Sequence, residues 1–291
     1  MRRIVGGFLV LGLGLAAVAA ENQGRERSAT PAEQYQALLK AQELASSPGR
    51  VLSDEERMRF IGETFRRWNE IALKFVDLAE KYPKDPVAVD ALIRAVWQVN
   101  STPWPVELVG PDEARAKALA VLRRDHIRSD KLGPLCERMS GGYCKEYEAF
   151  LRAVLEESPH QEVRARACLA LAHFLTNRAQ RIDLTRGQPE LTREFAGLYG
   201  EAYLAGLQGQ DRGEVVREAE ALFERALRDY GHVKLPGGTV AGRAEAELFE
   251  IRHLSVGKVA PEIEGEDQDG KRFKLSDYRG EVVLIDFWSE Y

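Results

Sequence analysis

Three cysteines, five histidines and one acid set inside an apolar run are the side chains of this 291-residue chain whose types and spacing bear on chemistry. Cys136 and Cys144 flank Met139-Ser140-Gly141-Gly142 in a loop expected between helices, and Cys168 lies on a helical face between Ala165 and Leu171. Eight residues apart, the first two lack the spacing of a redox C-x-x-C pair. In an oxidising compartment they could close a short loop worth roughly 2 to 3 kcal/mol in the chain-entropy model. Two separate thiols are the other reading. His126, His160, His173, His232 and His253 show no ligand spacing with a cysteine or a second histidine, so no metal site is read from them. The chain has no phosphate-cradling loop, no dinucleotide fingerprint and no nucleophile elbow, and no cofactor is called for.

The acid is Asp286. It interrupts Val282 to Trp288, otherwise unbroken in apolar residues, which is the pattern of a strand buried on both faces of a sheet. Asp269-Gly270 is a turn signal between the short strand candidates Glu262-Ile263 and Phe273-Lys274-Leu275, and Arg279-Gly280 punctuates the approach to the main strand. The order expected is a hairpin, a short turn and a central strand.

These residues carry a resemblance. G-K-x-A-P-E-I at Gly257 to Ile263, D-G-K at Asp269 to Lys271, L-S-D-Y-R-G at Leu275 to Gly280 and V-V-L-I-D-F-W-S-E-Y at Val282 to Tyr291 together resemble the opening of a redoxin domain. This is the thioredoxin-like group of alkyl hydroperoxide reductase/thiol-specific antioxidant proteins and periplasmic thiol-disulfide oxidoreductases. Two departures are minor: Glu281 stands where Lys is usual and Tyr291 where Trp is usual. The resemblance implies a nucleophilic cysteine or selenocysteine directly after Tyr291, first of a C-x-x-C pair, so the catalytic position falls outside the given chain. It further implies that Asp286 is a buried acid beneath that dithiol, its pKa raised by desolvation until it exchanges a proton with the second cysteine, and that Trp288 packs beside the active-site loop. Without the resemblance, Asp286 reads as a strand-end acid and Trp288 as core. D-F-W-S-E-Y favours the dithiol type over the peroxiredoxin type. The expectation is a longer protein ended at its active-site codon: by a selenocysteine codon read as a stop, or by a frameshift, a sequencing error or a nonsense mutation.

At the other end, Met1-Arg2-Arg3, the apolar stretch Ile4 to Val18 and Val18-Ala19-Ala20 before Glu21 read as a cleaved secretory signal over residues 1–20, with an uncleaved membrane anchor as the alternative. A periplasmic or secreted protein is expected. With 41 basic and 46 acidic residues and a formal net charge of −5, nothing drives the chain toward nucleic acid or an anionic membrane. Residues 21–52 read as a polar linker with a first short helix, 53–255 as an α-helical domain and 256–291 as the front of the redoxin domain.

The helical reading rests on periodicity. Ile61, Phe65, Trp68, Ile71, Phe75 and Leu78 recur at steps of three and four, with Ser53 and Glu56 forming a capping box at the start. Tyr82-Pro83-Lys84-Asp85-Pro86 ends that helix and starts another, in which Val89, Leu92, Ile93, Val96 and Trp97 face inward. Further helices are expected over Asp112 to Arg128, Lys145 to Glu156, His160 to Gln180, Leu191 to Leu207, Arg212 to Tyr230 and Val240 to Leu254, the last pair parted by Leu235-Pro236-Gly237-Gly238.

The fold class expected is therefore mainly α: helical hairpins followed by a truncated thioredoxin-like segment of one β-hairpin and the first central strand. Leu78-Ala79-Glu80-Lys81-Tyr82-Pro83 and the set Ala219, Phe223, Ala226, Leu227 and Tyr230 resemble fragments of irregular tetratricopeptide-type hairpins, which present concave surfaces to peptides or proteins. Two functions follow. One is an exported thiol-disulfide oxidoreductase or thiol-dependent antioxidant, acting on a thiol- or disulfide-bearing protein or a peroxide, and inactive as the chain stands. The other is a helical interaction scaffold carrying a dead redoxin remnant, with a protein partner on its helical region.

Overall fold

The computed structural model describes residues 28–45, 53–97 and 113–286. The signal region, the breaker around Trp104 and the positions of Trp288 and Tyr291 lie outside them. Helix makes up 73% of the structure against two small antiparallel sheets, so the class is mainly α. In chain order the α-helices are α1 (Pro31–Ala45), α2 (Asp54–Lys81), α3 (Val87–Trp97), α4 (Glu113–Asp125), α5 (Gly133–Met139), α6 (Lys145–Glu157), α7 (Gln161–Gly187), α8 (Pro189–Tyr199), α9 (Glu201–Gln208), α10 (Arg212–Tyr230) and α11 (Val240–Phe249).

Helix α2 begins where the sequence signals. The Ser53 side chain accepts from the Glu56 amide at 3.3 Å and the Glu56 carboxylate accepts from the Ser53 amide at 3.0 Å, satisfying two donors that a helix start leaves open. Its stripe meets α3 through small residues: Ala72, Ala79, Ala88, Ala91 and Ala95 are all fully buried, which lets the two backbones approach closely around Phe75 and Leu92. Between them Asp85 Oδ1 accepts from the Val87 amide at 2.9 Å and starts α3.

The axis of the second half is α7. It carries buried residues on several sides, among them Val163, Cys168, Leu171, Phe174, Leu175, Ala179 and Ile182, as a helix surrounded by others must. Helices α5, α6, α8, α9, α10 and α11 all pack on it. It runs to Gly187, seven residues past the expected end at Gln180, because Ile182 and Thr185 are still buried there.

Four expectations need correction. Leu191 to Leu207 is two helices, α8 and α9, because Gly200 takes φ 87, a left-handed conformation that glycine adopts without a Cβ clash and that no helix can continue through. Cys136 lies in α5, not in a loop. Cys136 and Cys144 are free thiols: the Cys136 side chain turns into the core while Cys144 caps α6, and Arg181 pins the intervening loop by donating to the Gly141 and Gly142 carbonyls, both at 2.9 Å. The fourth concerns Val282 to Asp286, which forms no strand. Neither described sheet takes it as a neighbour, so its backbone has no ladder and Val282 and Leu284 stand 102% and 94% exposed.

One of those sheets is the tiny hairpin β1 (Lys234–Leu235) and β2 (Gly238–Thr239), which turns the chain from α10 into α11. The other, β3 (Glu264–Glu266) with β4 (Arg272–Lys274), is the hairpin expected before the apolar run, shifted two residues along on its first strand. No described helix is long and apolar enough to cross a membrane.

Candidate functional site

The hairpin at the C-terminal end is built by its turn. Asp267 Oδ1 accepts from the Asp269 and Lys271 amides at 3.0 and 2.9 Å, and Gly270 takes φ 77, so the Asp-Gly pair reverses the chain where the sequence puts it. Pairing then sets Glu264 opposite Lys274, whose side chains join at 2.6 Å. Beyond β4 a 3₁₀ turn, Leu275–Tyr278, is held from both sides: the Asp277 carboxylate accepts from the Lys274 amide at 2.9 Å, and the Glu262 carboxylate accepts from the Ser276 amide at 2.9 Å. Glu262 is held below the usual carboxylate range by its hydrogen bonds to Ser276. The Leu275 amide also reaches the Ile263 carbonyl at 2.9 Å. P-E-I and L-S-D-Y, far apart in the sequence pattern, thus meet as one local structure.

The residues expected to do chemistry are not gathered into a site. The Asp286 side chain is exposed on the unpaired stretch, and Trp288 lies outside the described residues. Cys136 and Cys168 are completely buried, and burial pushes both thiols up to about 12. The Cys168 thiol is further occupied in donating to the Leu222 carbonyl at 3.3 Å. Cys144 is also raised by burial. None has the depressed pKa and exposure of a reactive thiol. Among the described residues no group of three or more His, Cys, Asp or Glu side chains is placed to hold a metal ion. His173 packs edge-on to Phe223 and lies 3.6 Å from Glu247, and the His160 ring nitrogen bonds the Arg128 carbonyl at 3.0 Å, both helix-packing roles.

Sequence reasoning missed a groove. A cavity of about 1100 Å³ opens between α1, α2, α3 and the end of α5, walled by Leu39, Trp68 and Trp97 and edged by Lys40, Arg94 and Arg138. The Arg94 Nε donates to Gln42 Oε1 at 2.6 Å, and Gln42 is buried, so the guanidinium is positioned from α1. The Arg138 guanidinium lies over the Trp97 ring, 4.4 Å from its centroid. The only sequence signal was negative: the acid four residues before Arg94 is Asp90, and Asp90 is taken by Lys131 at 2.7 Å. Comparisons with protein families, curated proteins and solved structures find no match to this chain.

Proposed function

We propose that the C-terminal stretch is the front of a thioredoxin-like domain and that the functional protein is an exported thiol-disulfide oxidoreductase carried on stacked, tetratricopeptide-like helical hairpins. The observation that supports this reading is the joining of the motif pieces: β3 and β4 bring Glu262 and Ile263 onto Ser276 and Leu275, and the chain then runs straight into Val282 to Ile285, exposed and apolar. An apolar run of this kind is stable when sheet neighbours cover both its faces, and exposed it is an aggregation-prone edge.

In the complete domain a cysteine or selenocysteine directly after Tyr291 is the nucleophile. Its anion attacks one sulfur of a substrate disulfide, releasing the other as a thiolate and leaving a mixed disulfide; the second cysteine, losing its proton to Asp286, then displaces the substrate. The substrate leaves as two thiols and the domain as a disulfide. A helix N-terminus at the nucleophile favours the anion. The 291-residue chain lacks this pair; of its own three thiols Cys136 and Cys168 are buried and Cys144 is partly exposed, and burial raises the pKa of each.

The test is peptide mapping of the natural gene product, recovered from its source by an affinity tag placed after residue 27. Peptides that continue past Tyr291 into Cys-x-x-Cys, or its selenium equivalent, are expected. A product ending at Tyr291 would leave the second reading, a helical scaffold with an inert remnant; the observation on its side is the cationic groove between α1, α2, α3 and α5.

A further inference from the structure

Several arginines of this protein reach another helix or helical turn through a carboxylate: Arg152 meets Glu218, Arg166 meets Glu137, Arg212 meets Asp183, Arg225 meets Glu156, and Arg252 meets Glu220 and Glu224. The groove's cations differ from these. Among the described residues none of Lys40, Arg94 and Arg138 has a carboxylate within salt-bridge distance, although all three edge one cavity. Glu43 is the single acid on the rim. The Trp97 indole Nε1 is buried and has no hydrogen-bond acceptor. A buried donor without a partner costs about 1–3 kcal/mol, and this one lies beneath the groove wall rather than on it, so the groove's accessible donors are Lys40, Arg94 and Arg138.

Each donor is prepared for a ligand. The Arg138 guanidinium sits over the Trp97 ring on an exposed side chain, and a guanidinium held there keeps N–H groups that a carboxylate can accept from in pairs. The bond to Gln42 fixes Arg94 through Nε alone and leaves both terminal nitrogens open. Leu39, Trp68 and Trp97 supply apolar walls between these charges. A cavity of about 1100 Å³ is at the upper end of small-molecule sites and accepts several residues of an extended chain.

We infer that this groove binds an acidic peptide segment of a partner protein, with its carboxylates on Arg94, Arg138 and Lys40 and an apolar side chain between Trp68 and Trp97. The inference does not rest on the redoxin reading. It is tested with the full chain by calorimetry and by the fluorescence of the groove tryptophans, titrating a capped six-residue peptide of glutamates and leucines. Saturable binding is expected, at least tenfold weaker for the same peptide with glutamine in place of glutamate, and weakened by added salt. Arg138→Gln, on an exposed side chain, and the double variant Arg94→Gln/Arg138→Gln should each lose tenfold or more, the fold being checked by circular dichroism. Arg217→Gln removes one charge from the surface of α10, away from the groove, and should bind as the parent does. Equal affinity for the glutamate and glutamine peptides, or for the parent and Arg138→Gln, overturns the inference. So does competition by free glutamate or inorganic phosphate as effective as the peptide, which would make the groove a small-anion site. Absence of saturable binding overturns it as well.

Discussion

In native buffer at neutral pH the three thiols of this chain should be nearly silent to a disulfide reagent. With Cys136 and Cys168 pushed up to about 12, about one molecule in 10⁵ carries either as a thiolate at pH 7. A free cysteine near pKa 8.5 is ionised in about three molecules in a hundred, so ionisation alone slows the reaction about three-thousandfold. Complete burial slows it further, because the reagent must wait for the helices to open. Only Cys144, partly exposed at the start of α6, has a route without global opening. The assay is release of thionitrobenzoate, first in buffer and then in guanidinium chloride with the reductant removed. At most one slow equivalent is expected in buffer and all three thiols in denaturant. Rapid labelling of Cys136 or Cys168 would refute the burial argument, and a single thiol in denaturant would restore the Cys136–Cys144 bridge. Linkage gives a second readout. Both thiols are raised in the folded chain, so the stability they contribute is complete below the unfolded pKa of about 8.5 and is lost as pH rises from there toward about 12. The loss is roughly 1.4 kcal/mol per pH unit per thiol, and a Cys136→Ala/Cys168→Ala variant should lack it.

Glu148 accepts from Arg152 and Arg178 in a partly buried cluster; burial alone would raise its pKa, but the two guanidinium hydrogen bonds outweigh that and hold it below the usual range. Glu148→Gln should cost about 1–3 kcal/mol in urea unfolding at pH 7, and parent stability should fall as pH drops through the unfolded glutamate pKa of about 4.3 toward the lower folded one, where the contribution is lost. Phe223 is completely buried between α10 and α7; Phe223→Ala should lower unfolding free energy by about 3–5 kcal/mol, and a loss under about 1 kcal/mol would mean that this interface is not packed. Ser53→Ala removes one half of the capping box and should cost about 0.5–2 kcal/mol, seen as a lower melting temperature by circular dichroism.

What the sequence made legible was local. The capping box, the Asp85 turn, the Asp-Gly hairpin and α10 over Arg212–Tyr230 each depend on neighbours a few residues apart, and each stands where periodicity and turn chemistry put it. Tertiary packing was less readable. Helix α7 runs to Gly187 because α8 and α9 cover its last turns, which no residue of α7 announces. Gly200 looked like one more small residue in a helical stretch until its left-handed backbone split α8 from α9. Cys136 and Cys144 looked close in sequence, yet the face of α5 aims one of them into the core. The groove was invisible because its cations come from three helices and owe their freedom to partners that went elsewhere, as Asp90 goes to Lys131.

Reduction of insulin disulfides tests the central proposal most directly, with the natural gene product compared against the 291-residue chain under the same thiol reductant. The account predicts turnover by the natural product, abolished when the residue following Tyr291 is replaced by serine and reduced by Asp286→Asn most strongly at low pH, together with no turnover by the 291-residue chain. Turnover by the 291-residue chain, or a natural product that carries the dithiol and yet reduces no disulfide, would contradict it.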